Sequence, residues 1–295
     1  MENTLEVVLE GLMRRYAERV PDVKKITSAM VEEGMISSPN EIENDHVAFR
    51  TMGVPHLGIA SFEKIFLALG YEKRDYFYFE GKKLNAYWFS PPAPKYPRIF
   101  VSELRVKDLS EEAQKIIKSY TSEVKQDPVD LLDLKDGKAI DAFLHQPLWR
   151  TPDWADYERL LKESEYAAWV IYNRYYLNHY TISVHNLPEG YNSIQSFNDF
   201  LERIGIKLND AGGKIKVSPD GGLLQSSTVA EMISATFADG SEHMISGSYV
   251  EFAERKVLPE FQHLKEIKRE HRREGFETGN ADKIFESTFT SQTNR

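Results

Sequence analysis

The pattern of apolar and polar positions repeats itself along this chain of 295 residues. Residues 45–51 and 179–184 alternate with a period of two, which predicts a strand in each place. Residues 61–70 and 196–205 then show helical spacing that ends at a glycine, the residue that commonly closes a helix. Three strand-like runs follow each helix. The sequence therefore predicts the order βαβββ twice, and such repeats are a strong guide to architecture.

Helical patterns fill the segments around the two repeats. Residues 1–43 have apolar side chains at helical spacing, and residues 108–176 are rich in Glu, Lys, Leu and Trp. We predict an α+β protein with N-terminal helices, two βαβββ units, a helical insert and a C-terminal helix, in one compact catalytic domain. The predicted boundaries are 1–43, 44–107, 108–176, 177–256 and 257–295.

Two parts of the chain allow more detailed predictions. In the second unit, residues 223–236 and 244–255 each predict one long strand. The charged stretch of residues 257–273 predicts a solvent-exposed helix, and the residues from about Glu277 onward predict poor order.

Composition limits the classes of function. The net charge of -9 argues against a nucleic-acid backbone as partner, and no apolar run approaches the ~20 residues of a membrane span. The chain contains no cysteine, so any transition metal must be bound by His, Asp or Glu. Its acidic start lacks the basic region of a signal peptide. We therefore expect a soluble cytoplasmic protein whose oligomeric state stays open.

One histidine occupies the same place in both repeats. His46 and His179 each lie near the start of the first strand of their unit, and a proline follows nine residues later in both, at Pro55 and Pro188. A duplicated unit with a histidine at one fixed point predicts a pseudo-symmetric site. The two histidines would supply two neutral imidazoles to it.

An acid lies in the middle of the last, otherwise apolar strand of each unit, at Glu103 and Glu251. An uncompensated carboxylate inside a barrel costs roughly several kcal/mol, so it should be paired or bind a cation. Two histidines and one carboxylate form the facial triad of non-haem Fe(II) oxygenases, which makes His46, His179 and Glu251 the candidate ligands. With Glu103 as a fourth ligand, the site would instead suit a Lewis-acid metal, as in glyoxalases.

Arg50 lies four residues after His46 and therefore on the same strand face, about 13 Å further along. Its guanidinium can bind a carboxylate through two hydrogen bonds. A small 2-oxo dicarboxylic acid that reaches from a metal to this arginine would fit. Gln225 and Ser227 share a strand face in the second unit and are weaker candidates for substrate contacts, as is Glu103.

Four stretches of the chain together resemble the 2-oxoadipate dioxygenase/decarboxylase family, formerly a domain of unknown function. They are residues 45–51, 178–181, 220–228 and 249–255, and the resemblance spans about residues 40–260. Two βαβββ units that form a half-open barrel also resemble the vicinal-oxygen-chelate superfamily, to which the glyoxalases belong.

The family resemblance implies an enzyme that uses Fe(II) to convert 2-oxoadipate and O2 to 2-hydroxyglutarate and CO2, in lysine catabolism. Another divalent metal can take the place of Fe(II) in purified protein. The resemblance implies His46, His179 and Glu251 as ligands and Arg50 as the residue that binds the substrate. Two alternatives stay open: a glyoxalase-like isomerase or lyase that works without O2, and a non-catalytic ligand-binding protein of the same fold.

Overall fold

The computed structural model describes residues 3–294. Two helices open this part of the chain, α1 (Thr4–Arg19) and α2 (Pro21–Glu32). The side chain of Asn3 caps α1 by accepting a hydrogen bond from the backbone N–H of Leu5. Pro21 begins α2, where the missing N–H would have had no helical partner. The apolar faces of both helices belong to the main core, as their spacing predicts.

The first unit has the predicted order. Its elements are β1 (Asn44–Met52), α3 (Ile59–Ala68), β2 (Glu72–Phe79), β3 (Leu84–Ser90) and β4 (Arg98–Leu104). Gly70 follows α3 with a φ of 89°, the left-handed conformation that favours glycine. This glycine turns the chain from the helix into β2.

Helices fill the segment between the units, as predicted. They are α4 (Glu111–Thr121), α5 (Gly137–His145), α6 (Trp154–Glu163) and α7 (Glu165–Asn173). Nearly every residue of α7 is buried. Its Tyr166 hydroxyl bonds to the backbone of Thr51 on β1, and its Trp169 indole N–H donates to the carbonyl of Gly247. The insert therefore makes hydrogen bonds to both units.

The second unit repeats the order of the first, with an added hairpin. Its elements are β5 (His179–Ser183), α8 (Ile194–Arg203), β6 (Lys216–Val217), β7 (Leu223–Ser227), β8 (Met232–Thr236), β9 (Glu242–Ser246) and β10 (Tyr249–Arg255). The prediction of continuous strands over 223–236 and 244–255 is wrong, because each run is divided. Between β7 and β8 the backbone N–H of Ala230 donates to the carbonyl of Ser287, so the chain leaves the main sheet there. The strands β8 and β9 pair with each other in a separate hairpin.

In residues 3–294, eight strands form one sheet in the order β2-β3-β4-β1-β5-β10-β7-β6. The strands β1 and β5 are antiparallel neighbours at its centre. Each runs parallel to the last strand of its own unit, β1 to β4 and β5 to β10. The two units thus have the same order outward from the centre and form the predicted half-open barrel. No helix that the structure describes is long and apolar enough to span a membrane.

The predicted helix over residues 257–273 is wrong. Short 3-10 turns, Pro259–Phe261 and Arg269–His271, lie there instead. The charge pattern was a poor guide because several of these charges have partners in the fold. Arg272, for example, donates to the carbonyl of Arg255, and Arg269 donates to the carbonyl of Tyr96.

The predicted poor order after Glu277 is also wrong. The chain forms α9 (Thr278–Ile284), a 3-10 turn (Phe285–Thr288) and α10 (Thr290–Thr293). These elements are too short to show a periodic pattern, and two of their apolar side chains, Ile284 and Phe285, are buried. We call residues 276–294 the C-terminal cap.

Candidate metal centre

The register of three central strands brings His46, His179 and Glu251 together. Thr181 on β5 is the partner of His46 on β1 and of Glu251 on β10, so the side chains of these three residues share one face of the sheet. His179 lies two residues before Thr181 and points to the same face. Strand pairing between the two units therefore assembles the predicted ligands.

The three side chains have the spacing of metal ligands. The Oε2 atom of Glu251 lies 3.0 Å from Nε2 of His179 and 3.5 Å from Nε2 of His46. Two atoms that bind one ion at about 2.0–2.2 Å and at right angles would be about 3 Å apart. All three residues are buried, and they form the one such group of His, Asp and Glu within residues 3–294. The group could hold a metal ion.

The residue before each histidine fixes the orientation of its ring. Oδ1 of Asp45 lies 2.8 Å from Nδ1 of His46, and Oδ1 of Asn178 lies 3.0 Å from Nδ1 of His179. Both oxygens are acceptors, so each ring carries a proton on Nδ1. The Nε2 atom of each ring then faces Glu251, where it can offer a lone pair to a metal ion. This donor set of two imidazoles and a carboxylate fits a divalent metal.

Asp45 is a buried anion between two arginines. Burial would raise the pKa of Asp45, but Arg255 and Arg98 hold that pKa well below its usual range. Arg255 donates to both carboxylate oxygens at 2.7 and 2.9 Å, and Arg98 donates at 3.1 Å. His46 is thus held by a carboxylate whose own position is fixed by two guanidinium groups.

Electrostatics differ between the ligands. Burial would raise the pKa of Glu251, but His46 and His179 lower it to about 2, so this carboxylate is an anion at neutral pH. Burial lowers the pKa of His179. Burial acts in the same direction on His46, but Glu251 and Asp45 outweigh it and raise the pKa of that ring. The two equivalent histidines therefore hold a proton with different strength.

The ligands face a partly open cavity, and Arg50 lines the same cavity, as its position after His46 predicts. The walls are largely aromatic and aliphatic. The C-terminal cap contributes several of these wall residues: Phe276, Ala281, Ile284 and Phe285. Two of the predicted features, metal ligands and a cationic residue, thus line one cavity.

Arg50 is 1 % exposed and is bonded to neutral groups of the cap. It donates to Oγ1 of Thr288 at 2.9 Å and to the carbonyl of Phe285 at 3.1 Å. Within residues 3–294 no carboxylate forms an ion pair with it, and its Nε–H is buried without a hydrogen-bond partner. A buried cation in this condition favours an anionic ligand.

The two weaker candidates for substrate contacts on β7, Gln225 and Ser227, differ in their position relative to the cavity. Gln225 lines the cavity, and its amide nitrogen donates to Oε1 of Glu251 at 2.5 Å. Ser227 faces the same way, but its hydroxyl bonds to the hydroxyl of Ser287 in the cap, which covers it. Ser227 is thus not among the residues that line the cavity.

Glu103 lies outside the cavity, which corrects the prediction that it contacts substrate or metal. Its neighbour Ser102 lines the cavity, so Glu103 points to the other face of β4. There its Oε2 atom accepts the backbone N–H of Ile59 at 2.9 Å, in the first turn of α3. Its charge is stabilised by a helix N-terminus instead of a cation.

Sequence reasoning missed several residues of the site. Asp45 and Asn178 had a visible signal, because each precedes the histidine of its repeat. Thr181 had a weaker one, since it shares a strand face with His179, and its hydroxyl lies 3.1 Å from Nε2 of His46. The wall residues of the C-terminal cap had no signal in the pattern.

Comparison with known proteins agrees with this geometry. The sequence matches the family described as 2-oxoadipate dioxygenase/decarboxylase over residues 8–266. The chain belongs to this family. It is 48% identical to the chloroplastic 2-oxoadipate dioxygenase/decarboxylase of Arabidopsis thaliana, across 100% of this chain and 80% of that protein. It is 43% identical to the chloroplastic/amyloplastic protein of the same name from Oryza sativa subsp. japonica, across 100% of this chain and 81% of that protein.

Solved structures show the same relationship. The hydroxyglutarate synthase of Oryza sativa, crystallised in complex with 2-oxoadipate, superposes with a TM-score of 0.89 at 43% identity, over 98% of this chain and 93% of that one. A protein of Ralstonia eutropha assigned to the glyoxalase superfamily has a TM-score of 0.70 at 22% identity, over 91% of this chain and 84% of that one, and shows a shared fold. Both the resemblance to the 2-oxoadipate dioxygenase/decarboxylase family and the predicted fold class are confirmed.

The predicted cytoplasmic location is wrong. The two plant relatives in the 2-oxoadipate dioxygenase/decarboxylase family are named chloroplastic and chloroplastic/amyloplastic. Charge and the lack of a signal-peptide pattern bear on secretion and membrane insertion. They carry no information about which compartment holds a protein of this family.

Proposed function

We propose that this protein is an Fe(II)-dependent enzyme that converts 2-oxoadipate and O2 to 2-hydroxyglutarate and CO2. The observation that carries the proposal is one cavity lined by a three-residue group that could hold a metal and by Arg50, which forms no ion pair with a carboxylate of residues 3–294. The names of the plant relatives and the complex of the rice protein with 2-oxoadipate support the substrate and the reaction.

His46, His179 and Glu251 would hold the metal. Three protein ligands leave coordination positions open, the arrangement found in non-haem Fe(II) oxygenases. Fe(II) bound there would supply the redox chemistry that activates O2. A fourth protein ligand would favour the glyoxalase-like alternative, but Glu103 is engaged at the start of α3.

Arg50 would bind one end of the substrate. 2-Oxoadipate has a carboxylate at each end, so the carboxylate beside the keto group would lie at the metal-binding group and the distal one at Arg50. A bidentate ion pair would compensate the buried guanidinium charge, and it would fix the length of substrate that the cavity accepts. The partners that Arg50 now has, Thr288 and the carbonyl of Phe285, are neutral and would not offset its charge.

The proposed reaction balances with O2 as the oxidant. The bond between the first carboxylate and the keto carbon breaks, and that carboxylate leaves as CO2. One oxygen atom of O2 becomes part of the new carboxylate on the former keto carbon. The other is inserted as a hydroxyl on the next carbon. The aromatic wall residues, such as Phe49, Phe100 and Phe285, would keep water away from the reacting groups during these steps.

The test is anaerobic loading of the apo-protein with Fe(II), followed by addition of 2-oxoadipate and then of O2. We expect uptake of O2 with equimolar formation of CO2 and 2-hydroxyglutarate. The matched control substrate is 2-oxoglutarate, one methylene shorter, which should turn over more slowly because it cannot span both groups. Turnover under nitrogen would instead favour the isomerase alternative. A protein that takes up no metal would favour the binding-protein alternative.

A further inference from the structure

Two buried side-chain amides connect the C-terminal cap to Glu251. Asn280, on α9, donates from Nδ2 to Oε1 of Gln225 at 3.0 Å. Gln225 in turn donates from Nε2 to Oε1 of Glu251 at 2.5 Å. The other oxygen of Glu251, Oε2, is the one that faces both imidazoles. All three side chains are buried, so these hydrogen bonds are made without competition from water.

The Asn280 amide has one favourable orientation. Its Nδ2 atom also lies 3.3 Å from the carbonyl oxygens of Lys216 and Leu223. Backbone carbonyls only accept hydrogen bonds, so an amide oxygen in that place would face acceptors alone. With Nδ2 fixed there, Gln225 must turn its oxygen toward Asn280 and its nitrogen toward Glu251. Two backbone carbonyls thus fix the orientation of the Asn280 amide, which fixes the Gln225 amide, which in turn donates to Glu251.

We infer that Asn280 is a positioning residue for the metal centre, which acts through Gln225 to hold a donor on Oε1 of Glu251 and leave Oε2 free for the ion. The inference rests on the metal site of the proposed function. Asn280 lies beyond the residues 8–266 that match the family.

This arrangement couples docking of the C-terminal cap to metal binding. The helix that carries Asn280 also carries Ala281 and Ile284, which line the cavity. Coupling of this kind is reciprocal, so a bound metal stabilises the docked cap as much as the docked cap stabilises the metal. Hydrogen exchange at the backbone of residues 278–288 should slow when the metal binds.

The main test measures the Kd for Fe(II) and Co(II) by anaerobic competition with a chromophoric chelator. We expect Asn280→Ala to weaken binding by about 10-fold, the lower end of the range for direct partners of metal ligands, because Asn280 acts through Gln225. Asn280→Asp should weaken it at least as much, because a carboxylate oxygen would face the carbonyls of Lys216 and Leu223. Asn280→Ser keeps a donor and should lose less. The matched control is Asp282→Asn on the same helix, a partly exposed residue paired with Lys82, which should bind metal like wild type.

A double-mutant cycle separates positioning from a general loosening of the fold. If Asn280 acts through Gln225, Asn280→Ala has no further effect on Kd in a Gln225→Met background. Ser287→Ala removes a different anchor of the cap, which bonds to Ser227 and Asn209. It should change the Kd by less than about twofold, because the cap stays docked through its other hydrogen bonds and the two amides stay in place.

Several results would overturn the inference. They are an unchanged Kd in Asn280→Ala and Asn280→Asp, additive effects in the cycle, or an equal loss in Ser287→Ala. Failure of the inference can be told from failure of the proposed function. Wild-type protein that binds no metal would overturn both. If wild-type protein binds metal and Asn280→Asp binds it with the same Kd, only the positioning role is overturned.

Discussion

The two halves of the metal centre hold their histidines in the same way but with different charge. In the first half, Asp45 accepts the Nδ1 proton of His46 and is itself held by Arg98 and Arg255. In the second half, the neutral Asn178 accepts the Nδ1 proton of His179. In the residues that the structure describes, the Nδ2 atom of Asn178 has no hydrogen-bond partner.

The comparison shows that the two halves share the geometry of the histidine and its partner, whereas the charge of that partner differs. A ring is oriented as well by an amide oxygen as by a carboxylate, because both accept a proton from Nδ1. Only the carboxylate requires arginines around it once it is buried. The first half also carries Arg50, where the second has Ser183. The buried arginine that forms no ion pair within residues 3–294 therefore lies in the first half, which suits an acidic substrate held there.

Removal of a metal ligand from either half should have the largest effect. His46→Ala and His179→Ala should each abolish stoichiometric metal binding, since two remaining ligands do not make a stable site for a divalent ion. Metal content after anaerobic loading and desalting measures this directly. The halves should behave alike here, despite their different neighbours. Full metal content in one variant would show that its histidine is not a ligand.

A second change distinguishes the halves. Asp45→Asn leaves the buried Arg255 without its anion, and Arg98 with Glu274 alone, and should lower the free energy of unfolding by about 3–5 kcal/mol. Asn178→Ala removes one neutral hydrogen bond and should lower it by about 0.5–1.5 kcal/mol. Urea unfolding of the metal-free proteins measures both. Equal losses would mean that the arginines do not depend on Asp45, and the comparison of charge would fail.

The third change concerns the arginine that only the first half has. Arg50→Lys keeps the charge but loses the two parallel hydrogen bonds to a carboxylate, so kcat/KM for 2-oxoadipate should fall by roughly 10–100-fold, as for the loss of a hydrogen bond to a charged group. Steady-state O2 consumption measures it. Metal affinity should stay near that of wild type, which separates substrate binding from metal binding. A fall in metal affinity with unchanged KM would place Arg50 in the support of the metal centre.

The sequence allowed most of the central site to be predicted because it is built on regular strands. Alternation put His46 and Arg50 on one face, and the repeat put His179 at the matching point. In the structure, pairing of the strands then brings these residues together.

The C-terminal cap could not be predicted for a physical reason. Its helix α9 has seven residues, too few for a periodic pattern to be distinguished from chance. Its order comes from contacts distant in sequence, such as those of Thr288 with Arg50 and of Asn280 with Gln225. Single-sequence patterns report local preference and do not contain such contacts.

The smallest expected effect compares the two acids at corresponding places in the halves. Glu251 is a candidate ligand, whereas Glu103 accepts a backbone N–H at the start of α3. Glu103→Ala should therefore cost about 1 kcal/mol of unfolding free energy, the usual loss for a helix-capping side chain, and leave the Kd for metal unchanged. Glu251→Ala should abolish metal binding. If Glu103→Ala weakened metal binding as Glu251→Ala does, the centre would have four protein ligands, and the glyoxalase-like alternative would regain its main support.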